Sequence, residues 1–153
     1  MMRKFMMSIV IAIFGIASIA HAADGPGVGK WRWSAAESRY ASGAYATEQT
    51  MIITRNDRDG IAVSQIVTPP DGKTFSWNIE APWDNKMRKA STWMSFAFKR
   101  ISDNQFHDRY VMNQGGMRGE ETFTITPTKI TIRGHSVDKG KKQPYVEVWN
   151  RVE

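Results

Sequence analysis

The chain has 153 residues, a formal net charge of +6, 41% hydrophobic and 24% charged residues, which fits one globular domain and leaves no room for a multidomain enzyme. It has no cysteine, so disulfide frameworks, thiolate metal sites, iron–sulfur clusters and cysteine nucleophiles are excluded. It also lacks leucine, on which helical cores rely, and carries six Trp, seven Phe and four Tyr, an inventory that favours β-sheet.

In chain order, Met1-Met2-Arg3-Lys4 is a short basic start, residues 5–19 are an apolar run, and Ala20-His21-Ala22 has the small-x-small pattern of a cleavage site. This is the layout of a secretory signal peptide over 1–22, and the run is shorter than the roughly 20 residues a spanning helix needs. Export to the periplasm, or secretion beyond it, is therefore expected, with no transmembrane segment left after cleavage. Loss of Arg3 and Lys4 lowers the charge to +4, and no cysteine stands at the junction to accept lipid. Residues 23–28, with Gly25-Pro26-Gly27, read as a flexible leader, so a single domain is expected over 29–153. Ser34-Ala35-Ala36-Glu37 has capping-box spacing and predicts one short helical turn through about Tyr40.

From residue 50 onward strand and turn signals alternate. Residues 50–55 lead into Asn56-Asp57-Arg58-Asp59-Gly60, whose glycine suits the left-handed position that closes a hairpin, and 61–68 return. Pro69-Pro70-Asp71-Gly72 is a second turn, the proline pre-setting the first corner and Asp-Gly accepting positive φ. Residues 75–80 alternate apolar and polar at every step, the mark of a half-buried strand. After Pro82-Trp83-Asp84-Asn85 come a weak strand at 87–89 and a stronger one at 93–101, with Met94, Phe96 and Phe98 on one face. Residues 105–113 place Phe106, Asp108, Tyr110 and Met112 on one side. Residues 117–126 carry Phe123 and Ile125 opposite Glu120, Thr122 and Thr124, and 129–134 and 145–152 flank a charged loop at 138–142. No connection is long enough for a crossover helix, so the strands must pair antiparallel. The predicted fold is all-β, an up-and-down meander of about 8–10 strands closed into a barrel.

Gly29-Lys30-Trp31 followed by Ser38-Arg39-Tyr40 and Gly43, then Asp71-Gly72-Lys73 with Trp77, Phe98-Lys99-Arg100-Ile101-Ser102-Asp103-Asn104, and the closing Val148-Trp149-Asn150-Arg151, resemble small exported bacterial lipocalin-like domains. The resemblance covers nearly all of the mature chain and rests on the order and spacing of these short motifs. Asp84-Asn85-Lys86 stands where such domains tend to have Asp-Gly-Lys, and 87–93 is unusually basic. The resemblance implies a lipocalin-like barrel with an internal pocket for a small apolar molecule. It also implies a structural pair at the closed end, Trp31 packed under Arg151.

The aromatic set Phe75, Trp77, Trp93, Phe96, Phe98, Tyr110 and Trp149 either lines a ligand cavity or fills the barrel as core, since small barrels do both. Lys86, Arg88 and Lys89, flanked by Trp83 and Trp93, are candidates for contact with an anionic lipid or polymer, as are Lys99-Arg100 and the lysines of 139–142. Their plainer reading is solvated loop charge, and nucleic acid is not expected as a partner. His107 and His135 remain after cleavage with no companion motif for haem or metal, and no cofactor is expected. There is no G-x-S-x-G elbow and no H-E-x-x-H. Adjacent Glu120 and Glu121 point to opposite faces of a strand, which is wrong for paired acid–base work. A hydrolase site would need His107 or carboxylates drawn from different strands. The expectation is thus a soluble, exported, non-enzymatic binding protein that holds a small apolar ligand in or at the mouth of the barrel. The alternative is a cell-envelope interaction module docking on anionic lipid or polymer through basic loops.

Overall fold

The computed structural model describes residues 25–41, 43 and 46–152; the signal peptide expected over 1–22 lies outside the described residues. The strands are β1 Gly29–Trp33, β2 Arg39–Tyr40, β3 Glu48–Asn56, β4 Gly60–Thr68, β5 Phe75–Pro82, β6 Arg88–Lys89, β7 Met94–Ser102, β8 Gln105–Met112, β9 Arg118–Ile125, β10 Lys129–Asp138 and β11 Lys141–Arg151. All eleven belong to one sheet in the order β5-β4-β3-β1-β11-β10-β9-β8-β7-β6, with β2 on β11. Each sequence-adjacent hairpin from β3 to β5 and from β6 to β11 pairs antiparallel, as short turns require. The ends of the chain meet in mid-sheet: Trp31 on β1 stands opposite Met51 on β3 and Arg151 on β11. The last strand therefore closes on the first, and the break in the hydrogen-bonded sheet falls between β5 and β6–β7.

Side-chain alternation explains why these segments are strands. On β5 Ile79 and Ala81 are buried while Ser76, Asn78 and Glu80 face solvent, and on β3 Gln49, Met51 and Ile53 point inward. Inward residues of opposite walls then share one core, in which Trp31, Ile61 and Ile130 are fully buried. Each such side chain contributes about 1.5–3 kcal/mol on removal from water. With no disulfide, burial of this kind and the hydrogen-bonded ladder hold the barrel.

The antiparallel barrel agrees with the predicted class, while several details differ. The count is eleven rather than 8–10, because Gly29–Trp33 and the two-residue Arg39–Tyr40 both join the sheet. No helix follows Ser34: a single turn is closed by the Ser38 N–H on the Ser34 carbonyl, 3.0 Å, and the chain then enters β2. Glu37, expected as the capping partner, is hydrogen-bonded to the Ser34 side chain and also accepts from Lys129 Nζ at 2.6 Å and Asn150 Nδ2 at 2.9 Å. The charged loop expected at 138–142 is a two-residue turn. Lys139 and Gly140 take φ of 48° and 79°, the paired positive values of a tight hairpin, and β10 and β11 run up to it on either side. Asn85 has φ 58°, so it occupies the left-handed position that Gly holds in the Asp-Gly-Lys pattern.

One end of the barrel is plugged. The Arg151 guanidinium lies 4.3 Å from the Trp31 ring centre, and donates to the Pro127 carbonyl at 2.6 Å and the Val28 carbonyl at 2.9 Å. Trp31 Nε1 donates to Gly27 at 2.7 Å, and Asn56 Nδ2 to Pro26 at 2.6 Å. Residues 25–28, read from the sequence as part of a flexible leader, are thus bonded across this end.

Candidate functional site

The barrel is not filled by its own side chains. Between the plugged end and the end carrying the β4–β5, β8–β9 and β10–β11 turns lies a cavity of about 580 Å³, within the range of small-molecule sites. Phe75, Trp77, Trp93, Phe96, Phe98, Tyr110 and Trp149, the seven aromatics singled out in the sequence, all line it. Four of them close the barrel's open seam. Phe75 meets Trp93 edge-on with ring centres 4.4 Å apart, and Trp77 meets Phe96 at 4.5 Å. Outside these contacts, Trp83 Nε1 and Arg100 Nη1 both donate to the Asp57 carbonyl at 2.8 Å, linking the β3–β4 turn to the β7 side. The seam is held by rings and side-chain hydrogen bonds where other strand pairs have a backbone ladder.

The opposite wall has a different chemistry. Strand register puts Asp108 on β8 across from Glu121 on β9, Glu121 across from Gly134 on β10, Gly134 across from Tyr145 on β11, and Tyr145 across from Tyr40 on β2. Gly134 has no side chain, so Tyr145 reaches over it and donates its hydroxyl to Glu121 Oε2. A Cβ at Gly134 would lie 2.6 Å from that of Glu121. Two residues along β11, Glu147 accepts from Tyr40 Oη at 2.6 Å and from Trp149 Nε1 at 3.0 Å. Asp108 is hydrogen-bonded to Glu121, yet its buried Oδ1 has no hydrogen-bond partner. Tyr110 completes the group, its hydroxyl 3.3 Å from that of Tyr145.

Asp108, Glu121 and Glu147 all line the cavity, with Asp138 at the end that carries the turns, and among the described residues no Lys, Arg or His does. The titration of Asp108 and Glu121 reflects their burial. Burial pushes the Asp108 carboxyl well above the usual carboxylate range, and the charges of Glu121 and Glu147 push it the same way. Burial, and then Glu147, raises Glu121 to about 8, against the opposing hydrogen bonds from Tyr145 and Asp108. The phenols of Tyr40, Tyr110 and Tyr145 are raised as well, chiefly by burial, and remain proton donors. The wall therefore offers buried carboxyl groups held in place by phenols.

The other predicted residues lie elsewhere. Arg88 makes a two-pronged bond to Asp84, at 2.6 and 2.7 Å, so that cation is already engaged by its neighbour, while Lys86 and Lys89 are exposed. His107 sits outside the cavity, 3.3 Å from Thr122 Oγ1 and 3.9 Å from Glu120, and His135 approaches the same Glu120 at 3.8 Å. Among the described residues no group of three or more His, Cys, Asp or Glu is arranged to hold a metal ion. The carboxylate wall was not identified from the sequence. Its signal was present in single positions: Asp108 shares its phase with Phe106 and Tyr110, Glu121 with Phe123 and Ile125, and Glu147 with Tyr145 and Trp149.

A scan against protein-family models finds no match, and a sequence search of curated proteins finds none either. Solved structures do match. The fluorescent protein UnaG superposes with a TM-score of 0.53 at 14% identity, over 82% of this chain and 97% of that one. An SAHS (abundant heat soluble) protein from Ramazzottius varieornatus gives 0.52 at 8% identity, over 84% and 96%. The redesigned β-barrel mFAP1, bound to DFHBI, gives 0.52 at 12% identity, over 81% and 94%. At such identities the likeness is one of fold, an antiparallel β-barrel.

Proposed function

We propose that the protein is an exported, non-enzymatic binding protein that carries a small, largely apolar molecule inside the barrel. The observation that carries this reading is the cavity of about 580 Å³, with its seam-side wall made of Phe75, Trp77, Trp93, Phe96 and Phe98. Flat rings give adaptable apolar contact at little conformational cost, and four methionines, Met51, Met94, Met112 and Met117, add pliable surface to the same space. A barrel whose purpose was only to fold would gain stability from filling this volume. The mFAP1 barrel, of similar fold, is bound to the small molecule DFHBI, which supports placing a ligand within such a frame. Export rests on the pattern of residues 1–22.

The test is native mass spectrometry of protein purified from its own periplasm, with extraction and identification of anything bound. One co-purifying molecule per chain is expected, released on denaturation. A periplasmic protein that carries nothing and takes up no added apolar probe would contradict the reading, as would absence of the chain from the periplasm.

A further inference from the structure

We propose that the open end of the barrel docks on an anionic membrane surface, setting the cavity mouth against the lipid through Lys73, Lys89, Arg118, Lys139, Lys141 and Lys142. The docking stands on the charge at this end. That the surface is a bilayer rests on reading the barrel as a carrier of an apolar molecule.

The topology gathers the six cations around the mouth. Lys73 follows the turn between β4 and β5, Lys89 precedes the β6–β7 connection, Arg118 opens β9, and Lys139, Lys141 and Lys142 form the tip of the β10–β11 hairpin. They occupy four of the five connections at this end. The fifth, between β2 and β3, carries no basic residue. The cavity opens among the same segments, where Gly43, Phe75, Trp93, Met117 and Gln143 line it. Trp93, Met94 and Met117 are half-buried there and put apolar surface inside the ring of charge.

The two ends of the barrel treat their cations differently. Toward the plugged end they are mostly paired: Arg58 lies 3.6 Å from Asp59, Arg88 2.6 Å from Asp84, Arg100 2.8 Å from Asp103, and Lys129 2.6 Å from Glu37. At the open end all six are exposed, and among the described residues none makes a side-chain hydrogen bond or ion pair. Glu48, Asp71 and Asp138 are the acids of this end, which leaves three positive charges in excess. Cations without an internal partner keep their attraction for an external anion.

The arrangement selects a broad partner. A small anion would meet one or two of these side chains, since they project from four separate turns, whereas an anionic leaflet meets all of them together. Each basic side chain held at such a surface raises binding about fivefold, so several acting together hold a protein that no single one would. A bilayer is also where an apolar molecule resides, and docking with the mouth down spares that molecule a passage through water.

The experiment is sedimentation of the mature protein with vesicles of phosphatidylcholine, alone or carrying roughly 30% phosphatidylglycerol. Binding to the anionic vesicles is expected to be at least about thirtyfold tighter, and to weaken at least about tenfold when ionic strength rises from about 0.05 M to about 0.5 M. Lys73→Gln, Arg118→Gln, Lys141→Gln and Lys142→Gln together should weaken it by about a hundredfold or more. Arg58→Gln, Lys86→Gln, Lys99→Gln and Arg133→Gln together remove the same charge from exposed positions away from the mouth, and should weaken it less than about fivefold. Far-ultraviolet dichroism reports that both variants are folded. Equal losses in the two variants would overturn the proposal by assigning the effect to net charge. So would absence of binding to anionic vesicles at the lower ionic strength, whether or not a soluble polyanion such as dextran sulfate is bound. Docking by a protein that takes up no Nile red would remove the carrier reading and keep the docking surface, and Nile red uptake without docking would do the reverse.

Discussion

The two walls of the cavity are built on opposite terms. On the seam side, β5 and β7 face each other without a backbone ladder, and Phe75, Trp93, Trp77 and Phe96 join them by ring contacts. On the far side, β8 to β11 are fully paired, and they carry Asp108, Glu121, Glu147, Tyr110 and Tyr145 inward, with Tyr40 joining from β2. The wall that lacks backbone hydrogen bonds holds apolar side chains, and the wall with a complete ladder holds the polar ones. This division is physically sensible. A buried polar network keeps its geometry only on a rigid frame, whereas rings tolerate the small displacements an unpaired seam allows.

The sharpest way to break the apolar wall is Phe96→Ala. Phe96 is buried and packs on Trp77, Phe98 and Tyr110, so its loss should cost about 3–4 kcal/mol in urea unfolding, with the seam aromatics loosened together. The polar wall should answer in the opposite sense. Glu121 titrates above its ordinary 4.5 in the folded barrel, so its contribution to stability is full below pH 4.5 and falls as pH rises towards 8. Glu121→Gln should flatten that decline and raise stability near pH 9 by roughly 2 kcal/mol, read from urea curves at acid and alkaline pH.

Between these lies Gly134→Ala. The added methyl group meets the Glu121 side chain and the Glu120 carbonyl and stands in the path of Tyr145, so a loss of about 1–3 kcal/mol is expected in thermal unfolding. The outer surface gives the smallest responses. Glu37 is lowered to about 2 by its bonds from Lys129 and Asn150, so its contribution is present above pH 4.5 and is lost as pH falls towards 2. In Glu37→Gln the acid limb of the stability curve should be shallower and the alkaline limb unchanged. Arg88→Ala removes a surface pair with Asp84 and a bond to the Lys86 carbonyl, and should shift Tm by less than about 2 °C.

The strands were legible because apolar residues alternate and Gly, Pro, Asn and Asp mark the turns, as in Phe75–Pro82 between Pro69-Pro70-Asp71-Gly72 and Trp83-Asp84-Asn85. The tips of β10 and β11 were hidden for the same reason: Asp138, Lys141 and Lys142 read as loop, although they pair across the hairpin. The aromatic wall was visible as a shared phase. Whether those rings enclose space or fill it depends on strand number and barrel curvature, which alternation does not encode. The carboxylates escaped notice because each is a single acid in an apolar face on a different strand. Only the register that sets Asp108 beside Glu121, with Gly134 opening the path to Tyr145, assembles them. The adjacent pair Glu120-Glu121 drew attention to the wrong partnership, since Glu120 faces outward between His107 and His135.

The central claim, that the barrel interior is a binding site, is tested most directly by titrating the neutral fluorophore Nile red into the mature protein and into Val63→Trp, which places a large side chain in the cavity. Saturable one-to-one binding with blue-shifted emission is predicted for the natural chain, and at least about tenfold weaker binding for the filled variant with its far-ultraviolet dichroism intact. Binding that is absent from the natural chain, or indifferent to filling the cavity, would contradict the account.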